Sequence, residues 1–247
     1  MNWLFLVVAS SFCMLGWSQS SSFKLHSHND YVQVVPFWNA YAQGMRSIEI
    51  DLVLHNNRLF VAHDIEDANP LRTIERLYLN PLNEVVELGL GDVKGLQFLI
   101  DLKGDADISM GLLLPILKRY EGVILENDIR FVISGNKPNA ALFLGMPSYV
   151  LDDYQLLELP TDSNAIERIA MVSYNFQRFS SWNGVGQIPD SDLRVLKGII
   201  DGVHSIGKPI RFWATPDTPD AWSSLIGLGV DFINTDMPCE LRVFLAK

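Results

Sequence analysis

Glu49 and Asp51 stand two residues apart in the run Ser47-Ile-Glu-Ile-Asp-Leu-Val-Leu54, which a polar tip at 55–58 joins to a second apolar run ending in His63-Asp64. Period-2 alternation puts both carboxylates on one face of a strand. Two carboxylates side by side repel unless a proton or a cation lies between them. A hairpin that brings His63 back beside them points to acid–base chemistry next to a metal. A solvated charge pair on a surface hairpin is the plainer reading of this stretch alone. The rest of the chain weighs against it by supplying partners: His28 and Asn29 before the stretch, Asp101 and Lys103 after it. Three carboxylates with few nitrogen ligands suit one hard divalent cation, Mg²⁺ or Ca²⁺, better than Zn²⁺. Asn29 can add an amide oxygen. His28 and His63 come from separate segments and can act as base and acid across a substrate. Lys103 can offset the charge of an anionic group in the transition state. Each residue also has an ordinary reading, since aspartates at strand ends cap helices and Lys103 can simply pair with Asp101.

These groups need a scaffold that sets strand ends side by side. Short apolar strands are predicted at 23–28, 48–54 with its hairpin to 61, 96–102, 130–134, 149–151, 169–174, 209–214 and 230–234. Helical segments are predicted at 36–44, within 69–91, and at 110–120, 190–206 and 219–228, and a loop leading into a helix follows 134. This alternation implies βαβ units and a parallel sheet. Eight such strands in this length fit an α/β fold of the TIM-type (β/α)₈ barrel kind. An open doubly wound sheet is the runner-up, but no Gly-x-Gly-x-x-Gly follows a strand. Ser134, Asp152, Ser173, Trp213 and Asp236 join the groups above at or just past strand C-terminal ends, the face that carries chemistry in such barrels. The stretch 65–91 is expected to cover part of the mouth. Tyr78, Tyr174, Trp182 and Trp213 are the aromatics that can line it, with Trp213 and Lys103 as the candidate substrate contacts.

The 247 residues suffice for one large domain or two small ones, and no linker marks a second. Residues 23–247 are therefore read as one barrel domain. A formal net charge of -10 argues against nucleic-acid binding, which relies on Lys/Arg clusters. An anionic substrate needs local help from a metal or particular cations. Residues 1–18 have a short uncharged apolar core, with Gly16 and Ser18 spaced for cleavage. That pattern predicts a signal peptide and export to a periplasm or the outside, rather than a membrane span. No later stretch is long enough to cross a bilayer. Cleavage leaves Cys239 alone, so no intramolecular disulfide is expected. Cys13 lies in the removed segment, and Phe12 before it suits lipidation poorly.

His28, Glu49-Ile-Asp51, His63-Asp64 and Asp101-Leu-Lys103 together resemble the motifs of the metal-dependent phosphodiesterases that include glycerophosphodiester phosphodiesterases and phosphatidylinositol-specific phospholipase C. Phe212-Trp213 and Gly229-Val-Asp-Phe-Ile-Asn-Thr-Asp236-Met-Pro238 match the end of that pattern in style. Ser27-His-Asn-Asp-Tyr31, Pro36-Phe37, Ser47-Ile-Glu-Ile-Asp51 and Val61-Ala-His-Asp64 are most similar to the branch of altered inheritance of mitochondria protein 6. The resemblance implies a barrel, a divalent metal on Glu49, Asp51 and Asp101, acid–base catalysis by His28 and His63, and cleavage of a phosphodiester P–O bond. Two departures bear on phosphate contacts and substrate class. Asn29 stands where glycerophosphodiesterases have Arg, as in the phospholipase version in which Asn helps hold the metal. The third acid is Asp101 rather than Glu. The implied substrate is a small or lipid-headgroup phosphodiester, of glycerophosphodiester or phosphoinositide type.

Two rival readings stay in view. Metal-dependent amidohydrolases and related phosphoesterases also carry His-x-His after the first strand, as His26-Ser-His28 does. They need more imidazoles on later strands, and the five histidines here leave strands four to eight without one. The other rival is a barrel that only binds a phosphorylated ligand, because fold alone does not establish catalysis.

Overall fold

The computed structural model describes residues 23–247; the expected signal segment 1–18, with Cys13, lies outside the described residues. Nine strands form in chain order: β1 (Lys24–Ser27), β2 (Ser47–His55), β3 (Arg58–Val61), β4 (Gln97–Leu102), β5 (Arg130–Gly135), β6 (Val150–Tyr154), β7 (Ile169–Asn175), β8 (Ile210–Trp213) and β9 (Phe232–Thr235). Eight are parallel and run β1-β9-β8-β7-β6-β5-β4-β2, and β2 returns to β1, which closes a TIM-type barrel. β3 is the ninth strand, paired antiparallel to the far half of β2 as the expected hairpin.

Helices interleave with the strands: α1 (Trp38–Ala42), α2 (Asn80–Leu88), α3 (Ala106–Lys118), α4 (Glu121–Glu126), α5 (Ser163–Arg168), α6 (Asp190–Ser205), α7 (Pro219–Leu228) and α8 (Pro238–Leu245). Local chemistry sets their ends. The Asp105 carboxylate accepts from the Ile108 amide at 2.9 Å, so α3 starts earlier than its apolar spacing alone predicts. Thr218 caps α7 in the same way ahead of Pro219, and Gly229 ends it in the left-handed region. The short helices α4, α5 and α8 have no counterpart in the expected pattern, because one or two turns carry too little periodicity to read.

The strands bury both faces, which accounts for the continuous burial of β2 from Ser47 to Val53. Their outward side chains meet the helices in one large apolar cluster. Ile48, Ile50, Leu52, Phe98, Ile100, Phe131 and Ile133 belong to it. Within it Phe98 stacks on Phe131 with ring centroids 5.4 Å apart and meets Tyr78 edge-on at 6.2 Å. A smaller cluster of Leu99, Val132, Met171 and Phe232 fills part of the barrel bore.

Three expectations change here. The stretch 65–91 mostly does not cover the mouth. After a turn at Ile65–Asp67 it forms a π-helical turn at Glu75–Leu79 that runs into α2, and Ile74, Tyr78, Leu79, Leu82 and Val85 bury themselves in the outer cluster. Its apolar spacing is thus that of a barrel-wall helix. The segment expected to lead into a helix after β5 is a 3₁₀ turn at Ala140–Gly145. Asp152 lies in the middle of β6 rather than at or just past its end. Among the described residues no helix is long and apolar enough to cross a membrane.

Candidate active site

Strand register carries the site residues to one end of the barrel. Asp51 on β2 sits opposite Asp101 on β4, and Asp101 sits opposite Ser134 on β5. Glu49, two residues back on β2, points the same way. Glu49, Asp51 and Asp101 each bring a carboxylate oxygen within 4.8 Å of the others. Asp51 Oδ1 is buried and has no hydrogen-bond partner. Such an orphaned anionic oxygen costs stability unless something positive reaches it. Burial first, then the charges of Glu49 and Asp101, push the Asp51 carboxyl up to about 6. An oxygen-only cluster with a frustrated member is the donor set of a hard divalent cation, and the residues present fit one.

Cations of the chain already offset part of this charge. Lys103 Nζ lies 3.1 Å from Asp51 Oδ2 and donates to Asp101 Oδ2 at 2.9 Å. Burial lowers the Lys103 ammonium, but Asp51 and Asp101 outweigh it and raise it overall. Arg211 on β8 donates to Glu49 Oε2 at 2.6 Å and also meets His26 Nε2. Burial would raise the Glu49 carboxyl; the Arg211 guanidinium reverses this and holds it below the usual carboxylate range. Burial and Arg211 together hold the His26 imidazole down to about 3, so it is neutral and cannot act as an acid near neutral pH.

The two candidate catalytic histidines sit in different settings. His28 Nδ1 lies 2.7 Å from Asp236 Oδ1, and His28 Nε2 lies 3.7 Å from Glu49 Oε1. Burial lowers the His28 imidazole, and the Asp236 hydrogen bond with the Glu49 charge raises it overall. Asp236 is itself anchored, because Asp217 accepts from its backbone amide at 2.6 Å and from Thr235 Oγ1 and Trp222 Nε1. His63 is exposed, with Nδ1 2.9 Å from Asp64 Oδ2. In both histidines a carboxylate takes Nδ1 and the ring lines the cleft, an arrangement suited to proton transfer.

His28, Asn29, Glu49, His63, Asp101 and Lys103 share one cleft of about 450 Å³, whose far wall includes Trp213, Ser134 and Gln155. An adjoining lobe shares His63, Asp101 and Lys103 and adds Asp64, Ile65 and Glu66. Ile65 and Glu66 are the part of 65–91 that does reach the mouth. The Tyr31 hydroxyl lies between Asn29 Oδ1 at 3.1 Å and Asp51 Oδ2 at 3.0 Å, which ties Asn29 to the acidic cluster.

A family profile described as "AIM6-like phosphodiesterase domain" matches residues 18–90, and one described as "Glycerophosphoryl diester phosphodiesterase family" matches residues 209–238. Among curated proteins, altered inheritance of mitochondria protein 6 of Eremothecium gossypii is 26% identical, over 86% of this chain and 67% of its own length. That of Lachancea thermotolerans is 24% identical over 86% and 63%, and the Arthroderma benhamiae homolog 25% over 86% and 80%. These matches support a likeness to the glycerophosphodiester phosphodiesterase-like superfamily and, within it, to the branch of altered inheritance of mitochondria protein 6. The chain spans about two thirds of the length of the first two relatives. Among solved structures, a glycerophosphodiester phosphodiesterase from Parabacteroides distasonis superposes with a TM-score of 0.62 at 16% identity, over 92% of this chain and 98% of that one. One from Agrobacterium tumefaciens superposes at 0.51 with 15% identity. Both are likenesses of fold.

The sequence reading of this site met the structure unevenly. The structure brings together all eight candidate residues: seven line the cleft, and Asp51 lies buried in the carboxylate cluster. Of the four aromatics proposed for the mouth, only Trp213 lines it. Tyr78 and Tyr174 are buried in the core, and Trp182 donates its indole N–H to the Val185 carbonyl. Arg211, Tyr31 and the role of Asp236 behind His28 escaped sequence reasoning. A charged residue inside the short apolar strand Ile-Arg-Phe-Trp was the available signal for Arg211, since a strand of a closed parallel barrel buries both faces.

Proposed function

We propose that this chain is a divalent-cation-dependent phosphodiesterase that breaks a phosphodiester P–O bond by acid–base catalysis with His28 and His63. The observation that carries this reading is the carboxylate cluster of Glu49, Asp51 and Asp101 in a cleft with two imidazoles from separate segments. Glu49, Asp51 and Asp101 would hold the cation, with Asn29 as the candidate fourth oxygen. Mg²⁺ or Ca²⁺ suits an all-oxygen set. A cation there supplies Lewis-acid stabilisation of the charge that develops on a phosphoryl oxygen. One imidazole Nε2 takes the proton of the attacking hydroxyl, and the other gives a proton to the leaving oxygen. Asp236 and Asp64 hold the two rings in the tautomer this needs. Lys103 lies close enough to the cluster to face the phosphoryl charge, and Trp213 offers an apolar wall for one substituent of a small or lipid-headgroup diester.

The rival His-x-His reading needs His26 and His28 to converge as ligands. His26 instead packs below the cleft on Ser47, Glu49 and Arg211, with no exposure. The purified protein is expected to release p-nitrophenol from bis-p-nitrophenyl phosphate with Mg²⁺, Ca²⁺ or Mn²⁺ and to lose this with a chelator. His28→Ala and His63→Ala should each lower turnover by about a hundredfold or more while the protein stays folded. Retention of diesterase activity in either variant would sink the assignment. No hydrolysis by the parent protein, with tight binding of a phosphorylated ligand, would favour a binding barrel.

A further inference from the structure

Arg211 is the one cation of the site that sequence patterns did not mark. It is buried, opposite Ser173 on the neighbouring strand, and its Nε donates to Ser173 Oγ at 3.3 Å. Its Nη1 takes one oxygen of Glu49, Oε2, at 2.6 Å. The other oxygen, Oε1, lies on the His28 side, 3.7 Å from that ring. Glu49 is thus held by its inner oxygen and presents only its outer one to the cleft. A further buried carboxylate, Asp153, accepts from Ser134 and Gln155, and the Arg211 charge acts on it too. His26 is the remaining neighbour and touches the same inner oxygen of Glu49.

Charge decides what this clamp does. Three carboxylates around a divalent cation leave the loaded cluster with one net negative charge, which repels an anionic substrate. Lys103 on Asp51 and Asp101, together with Arg211 on Glu49, offsets that repulsion with two positive charges. That offset favours entry of a singly charged diester. We propose that Arg211 is a positioning and specificity residue of this cluster: it fixes Glu49 for single-oxygen contact with the cation and sets the site's charge to receive a monoanionic phosphodiester. Arg211 weakens cation binding and strengthens substrate binding, two effects of opposite sign. A residue that only holds the barrel together would move both in the same direction. The inference rests on the phosphodiesterase reading for its substrate half, but its cation half stands on the cluster alone.

The test compares the full-length protein with Arg211→Gln and Arg211→Lys. Mg²⁺ and Mn²⁺ affinity is read by calorimetry, and KM and kcat for bis-p-nitrophenyl phosphate are read at saturating cation. Removing one buried charge a few ångströms from the cation should tighten its binding in Arg211→Gln by about tenfold and raise the diester KM by about tenfold. Arg211→Lys keeps the charge, so both values should stay within about threefold of the parent. Weaker cation binding in Arg211→Gln overturns the proposal, as does an unchanged KM. If Arg211→Gln fails to fold, Arg211→Lys decides: a tenfold loss of cation affinity there also overturns it. A parent protein that cleaves no diester sinks the function and leaves the cation half of the inference to be judged by the affinities.

Discussion

The two walls of the same strands do different work. On β2 the outward residues Ile48, Ile50 and Leu52 lock into the helices, while the inward residues Ser47, Glu49 and Asp51 meet His26, Arg211 and Lys103. The outer wall is held by apolar contact area, which is non-directional and tolerant of detail. The inner wall is held by directed pairs whose partners come from strands far away in sequence. Removing one outer residue leaves a cavity, whereas removing one inner residue leaves a charge without its counterpart. Stability is concentrated on one side of the sheet and chemistry on the other, so the two should separate under mutation.

The largest separation is expected between Asp101→Asn and Phe98→Ala. Asp101→Asn should lose cation binding and turnover by about a hundredfold or more, with a small change in melting temperature. Phe98 is stacked on Phe131 and fully buried. Phe98→Ala should cost about 3–5 kcal/mol of unfolding free energy in a denaturant titration, while the folded fraction keeps its cation affinity. If the two variants exchange these outcomes, the division between walls is wrong.

Gly135 tests the boundary between them. It ends β5 with a φ of 68° and lies against Asp101, and a side chain there would collide with the Asp101 carboxylate and the Leu102 carbonyl. Left-handed backbone and close approach both call for glycine. Gly135→Ala should therefore displace an inner-wall ligand by a backbone change: cation affinity falls by about tenfold or more, and stability falls by about 1–2 kcal/mol. Unchanged cation affinity would show that Asp101 is free to move.

A proton can stand in for the cation on the inner wall. Burial and its carboxylate neighbours raise Asp51 to about 6 without a metal. Above that pH the group is ionised and open to a cation; below it, the proton must leave first. Cation affinity measured by calorimetry should thus fall by about tenfold between pH 7.5 and pH 5. Asp51→Asn removes the titrating group, so the residual affinity should lose most of this slope. A slope that persists in Asp51→Asn would place the competing proton elsewhere.

The inner wall was legible where a strand's own pattern marks its polar residues. Glu49 and Asp51 stood out because β2 is long and alternates charge with isoleucine. The barrel was legible because eight apolar runs alternate with helix-like segments. Arg211 was not, since β8 has four residues and its Arg-Phe-Trp reads equally well as a half-exposed strand. Only barrel closure turns that side chain toward Glu49, which lies 162 positions earlier. The pairing of His28 with Asp236 spans 208 positions and is set by β1 lying beside β9. The stretch 65–91 misled for the opposite reason. Its apolar residues are real core, and sequence alone does not say which side of the barrel wall they cover.

The smallest effect concerns the carboxylates behind the two histidines. Asp236 is itself more than half exposed, but it pairs with a half-buried His28 and is tethered through its backbone to Asp217. Asp64 pairs with an exposed His63, and both side chains are more than half exposed. Water competes for an exposed pair and screens it; His28 is the less exposed ring, and Asp217 holds its partner carboxylate in place. Asp236→Asn should lower kcat by about tenfold or more because the ring loses its tautomer. Asp64→Asn should lower it by no more than about threefold, since solvent can replace the amide. Both are read in the same diester assay at saturating cation. If Asp64→Asn costs as much as Asp236→Asn, then substrate must bury His63 when it binds, and the exposed side of the mouth becomes as dry as the inner wall.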